Sequence, residues 1–105
     1  MHPVLNNTKW EELRLAMVAL GSTSPKWRAR AKSNGYVCPW DGDWYYHFRI
    51  GGYKDVEWVE LQIVSEEQGA VVLPILREIH LPGCRLGHGF RLFGYVTDGM
   101  APEYI

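Results

Sequence analysis

The chain has no excess of charge of either sign. Eleven Lys and Arg against twelve Asp and Glu leave a net charge of −1. That removes the global electrostatic footprint of nucleic-acid or membrane-surface binding. Apolar runs are short, far from the roughly 18 residues of a membrane span. Cysteine is scarce: Cys38 and Cys84 only, with no CxxC pair. The first twelve residues contain Pro3, Asn6, Asn7, Glu11 and Glu12, which is not the pattern of a signal peptide. The expected setting is the cytoplasm, where two cysteines are free thiols rather than a disulfide. There is no repeat, linker or low-complexity segment. Phosphate loop, nucleophile elbow, metalloprotease helix and EF-hand patterns are all missing, so no cofactor is implied.

What is present suits one small domain over residues 1–105. Hydrophobic residues make up 47% and charged residues 22%, as in an ordinary globule. The aromatic load is high, with five Trp, six Tyr and three Phe. Such residues build cores, and they also anchor interfaces.

Residues 9–20 read as a helix. Thr8 and Glu11 have capping-box spacing, and Gly21 suits the C-terminal stop. Trp10, Leu13, Ala16, Met17 and Leu20 fall on one face, the core side. Leu15 and Val18 fall opposite, a solvated flank or a second contact surface. Three dipeptides follow: Asn34-Gly35, Asp41-Gly42 and Gly51-Gly52. Each tolerates the positive φ of a two-residue hairpin turn, so the spacing predicts a four-stranded antiparallel meander from Lys26 to Val64. In its first strand Trp27, Ala29 and Ala31 alternate with Lys26, Arg28, Arg30 and Lys32. In its third, Trp44, Tyr46, Phe48 and Ile50 alternate with Tyr45, His47 and Arg49. Bringing the apolar faces together requires a bulge near Cys38-Pro39 and another at Trp58-Val59. The second would turn Val56, Trp58, Val59, Leu61 and Ile63 all inward.

Ser65 and Gln68 open a second helix, kinked or split at Pro74. Pro82-Gly83 ends it, and Phe90–Thr97 reads as a last strand. The predicted class is α+β, in the order α-β-β-β-β-α-β. It is a two-layer sandwich, with both helices on one face of an antiparallel sheet.

The other face then carries Lys26, Arg28, Arg30, Lys32, Tyr45, His47, Arg49, Glu57 and Glu60. In the simplest reading it is a solvated face that discourages edge pairing. The functional reading is a docking surface for an acidic protein partner, with Arg28, Arg30, Tyr45, His47, Arg49 and Glu57 as contacts. Reversing Arg28 and Arg30 should then weaken binding and leave the fold intact. An enzymatic alternative uses His47 as acid, Glu57 as base and Arg49 for phosphate charge, as ribonuclease-type hydrolysis needs. A homodimer that buries the aromatic surplus is a third reading. His80, Cys84 and His88, with Cys38, have ligand types that zinc accepts, but Pro82-Gly83 and Gly87 place them in a loop.

Asn6-Asn7-Thr8-Lys9-Trp10 and Tyr46-His47-Phe48-Arg49-Ile50-Gly51-Gly52-Tyr53 resemble segments of a family of small uncharacterised bacterial proteins. The resemblance implies a bacterial, single-domain, cytoplasmic protein and brings no catalytic residues. Small α+β proteins of this type are similar to immunity proteins, which block a cognate toxin. Sequence therefore favours a non-enzymatic binding module.

Overall fold

A computed structural model describes residues 1–105. The first helix, α1 (Asn7–Leu20), follows a two-residue strand, β1 (His2–Pro3). Its cap is Asn6 rather than Thr8: Asn6 Oδ1 accepts from the Lys9 amide at 2.9 Å. Glu11 is not part of a capping box. It accepts two hydrogen bonds from Arg14, at 2.9 and 3.0 Å, and another from the Tyr53 hydroxyl. Trp10, Leu13 and Met17 are buried and Leu15 is exposed, so the helical period was read correctly.

Strand β2 (Lys26–Ala31) pairs antiparallel with β3 (Val56–Gln62), but no meander connects them. The expected second strand makes only two isolated bridges, Arg30 to Val37 and Trp27 to Asp41. Pro39 has no N–H to give, and the Ala29 amide turns to Cys38 Sγ at 3.2 Å. The expected third strand is a turn followed by a 3-10 helix at His47–Arg49. Asp41 and Asp43 cause this. Asp41 Oδ1 accepts from the Asp43 amide, and Asp43 Oδ1 accepts from the amides of Tyr45 and Tyr46. These Asx turns wind the chain before it can extend. Trp44 and Phe48 still enter the core, with ring centroids 4.6 Å apart.

The bulge in β3 lies at Glu57, not at Trp58-Val59: Arg30 pairs with Trp58, and its neighbour Ala31 with Val56. Val59 and Leu61 therefore face the helices, while Trp58 and Glu60 face away. Helix α2 (Glu66–Ile79) is one element with Pro74 inside it. Ser65 caps it by accepting from the Gln68 amide. Pro82-Gly83 does not lead into a loop. A short strand, β4 (Gly83–Leu86), begins there and turns through Gly87-His88 into β5 (Gly89–Phe93). The chain then breaks at Gly94, and β6 (Tyr95–Val96) pairs with β1.

The main sheet has the order β2-β3-β5-β4, antiparallel throughout. The class is α+β, as expected, with a different order of elements. One core joins Trp10, Leu13 and Met17 of α1, Val72, Leu76 and Ile79 of α2, and the sheet residues Trp27, Val59, Leu61, Phe90 and Leu92. Burying each such side chain contributes roughly 1.5–3 kcal/mol. No helix is long and apolar enough to cross a membrane.

Candidate functional site: a pinned arginine face

The sheet face turned away from the helices has a built centre. Register places Arg28, Glu60, Arg91 and Cys84 in one row across the four strands. Glu60 has no solvent exposure. Its Oε1 accepts from Arg28 Nε at 2.9 Å, forms an ion pair with Arg28 Nη2 at 2.7 Å, and lies 3.1 Å from His88 Nε2. Its Oε2 accepts from Arg91 Nε at 2.8 Å and Nη2 at 2.6 Å. A carboxylate cannot donate, so Nε2 of His88 carries the proton. Burial alone would raise the Glu60 pKa, but the bonds from Arg91 and Arg28 outweigh it and hold the carboxyl below 4.5.

Two indoles complete the centre. The Arg28 guanidinium lies over Trp40, and that of Arg91 over Trp58, each 4.4 Å from the ring centroid. His88 meets the Trp40 ring edge-on at 5.5 Å. In the next row Arg30 pairs with Glu57 at 3.3 Å. Arg28 and Arg91 remain 32% and 34% exposed. Arg91 gives two of its five N–H donors to Glu60 and Arg28 gives one, and both keep donors for a further partner. Three guanidiniums against two carboxylates leave this surface positive.

Of the six expected contacts, Arg28, Arg30 and Glu57 are together here. Tyr45, His47 and Arg49 are not. They belong to the wound segment beside α1, where Arg14 Nη1 donates to the Tyr45 carbonyl at 2.9 Å. His47 Nδ1 lies 2.9 Å from Asp41 Oδ2 and 3.7 Å from Asp43 Oδ2. The Tyr46 amide, with help from His47, holds the Asp43 carboxyl below its usual range. Arg49 sits over the Tyr45 ring at 5.7 Å. The hairpin that would set His47 and Arg49 opposite Glu57 does not form, and His47 and Glu57 share no hydrogen bond or ion pair.

The zinc pattern is dispersed too. His80 stacks on Tyr104 at 4.2 Å, His88 bonds Glu60, and Cys38 Sγ accepts from Ala29. Burial pushes the Cys84 thiol up, against the pull of Arg91. No three His, Cys, Asp or Glu side chains are grouped as metal ligands.

A family model of unknown function, DUF6678, matches residues 1–99. The chain belongs to that family. No curated protein and no solved structure matches it.

Two concavities flank the arginine centre of this DUF6678 member. One, of about 250 Å³, is lined by Trp58, Phe93, Met100, Arg91, Glu57 and Glu103. The other is an open groove of about 580 Å³ between α2 and the β4–β5 turn, with apolar walls from Ile63, Leu73 and Phe90. Sequence reasoning missed Arg91, Trp40 and the outward turn of Trp58, and gave His88 only as a zinc-type ligand. The alternation of Phe90 and Leu92 with Arg91 was the one available signal for Arg91.

Proposed function

We propose that this protein is a non-enzymatic binding module that docks an acidic protein partner on the Arg28, Arg30 and Arg91 face. An immunity-like inhibitor acting in a bacterial cytoplasm is its concrete form. The observation that carries the reading is Glu60. A buried carboxylate that fixes two guanidiniums and leaves their remaining donors at the surface prepays the ordering that flexible arginines lose on binding. Carboxylates of a partner would meet donors already in place, and charge complementarity would speed and orient the encounter.

Arg28 is a poor probe of this idea, because a glutamate there would confront buried Glu60. Lys26 and Arg30 lie on the same face and are less embedded. The test is affinity capture from the protein's own organism with wild-type and Lys26→Glu/Arg30→Glu baits, followed by titration of the purified partner. A single stoichiometric partner should bind wild type about tenfold more tightly, with an affinity that falls as salt rises. A partner held equally by both baits, or insensitive to salt, overturns the reading.

A further inference from the structure

We infer that the cleft beside the arginine centre takes one apolar anchor side chain of the acidic partner; this rests on the docking reading above. The cleft is continuous with the centre through Arg91, which lines the cleft and holds Glu60. Its size of about 250 Å³ suits a single large side chain. Drug-sized molecules occupy roughly 300–1,000 Å³. Its apolar lining includes Trp58, Phe93 and Met100, the last an adaptable thioether that is 62% exposed.

The charges around the cleft specify the anchor. Arg91 is held in place by Glu60 with donors to spare, and Glu57 pairs with Arg30. Glu103, also in the lining, has no ion pair and would repel an acid placed within the cleft. The apolar lining of Trp58, Phe93 and Met100 favours an apolar side chain there, and the partner's carboxylates lie to the Arg28 and Arg30 side. A desolvated anchor ringed by polar contacts is the usual form of an interface hot spot.

The probes are two synthetic peptides, acetyl-Asp-Asp-Phe-Asp-Asp-amide and its Phe→Ala counterpart, titrated up to millimolar concentration. The shift of the Trp58 indole N–H resonance reports binding. The Phe peptide should bind about tenfold more tightly than the Ala peptide. Ala101→Trp, which fills the cleft, and Met100→Glu, which charges its wall, should each abolish that preference without touching the core. Equal binding of both peptides, lost in Lys26→Glu/Arg30→Glu, would overturn the anchor and leave the docking face standing. A Phe preference that survives both cleft variants also overturns it. Failure of both peptides to bind would overturn anchor and docking face together.

Discussion

Glu60 is the residue on which the outer face depends. Its carboxylate is stabilised because hydrogen bonds from Arg28, Arg91 and His88, with the Arg28 Nη2 ion pair, converge on it. Removing the charge leaves Arg28 and Arg91 half-paired. Glu60→Gln should therefore cost about 3 kcal/mol, read from the urea midpoint. The pH dependence has a definite sign. The folded pKa of Glu60 lies below 4.5, so its contribution is complete above the unfolded value and is lost as pH falls through the folded one. Glu11, held low by its bonds from Arg14 and Tyr53, acts in the same direction. Thermal melts between pH 6 and about pH 3 should show stability falling on the acid side. In Glu60→Gln that fall should be shallower. An unchanged acid limb would remove Glu60 from this role.

Among the elements, the β4–β5 hairpin was the least visible in the sequence and is the most demanding locally. Gly89 has φ 151, and a Cβ there would run into the Leu61 carbonyl oxygen of the neighbouring strand. Gly87, in the turn, has open space around it. Gly89→Ala should thus cost on the order of 2 kcal/mol or more, while Gly87→Ala stays near neutral; denaturation midpoints of the pair decide it. The helices were legible because their apolar stripes and the Ser65 cap are local signals. The segment from Trp44 to Ile50 was not, because aromatic spacing of two and four suits a strand or a helical turn equally. There the hydrogen bonds of Asp41 and Asp43 tipped the balance. The site divides the same way. Arg28, Arg30, Glu57 and Glu60 were legible as outward residues of two alternating strands. Arg91 and His88 reach them through pairing across α2, which no local pattern encodes.

At the scale of the whole molecule, irregular backbone pairs with part of each outer edge of the main sheet. Val37 and Asp41 bridge to β2. On the other side the Gly83 amide donates to the Glu103 carbonyl at 2.8 Å, and Tyr104 bridges to Pro82 beneath the ring of His80. Covered edges resist strand-to-strand association. Deleting residues 101–105 should therefore produce concentration-dependent self-association in light scattering, where the full chain gives a constant mass. A truncated chain that stays at constant mass would show that the edge needs no cover.

The strand order has a consequence for how the protein is made. The two central strands, β3 and β5, are separated in the chain by the whole of α2. As synthesis proceeds, β3 can find β2 early, and Glu60 then meets only Arg28. Its second arginine and its histidine are supplied by residues that leave the ribosome later. Until they arrive, β3 is an open edge and Glu60 has one arginine partner, so the pairing of β5 completes the sheet and the Glu60 cluster together.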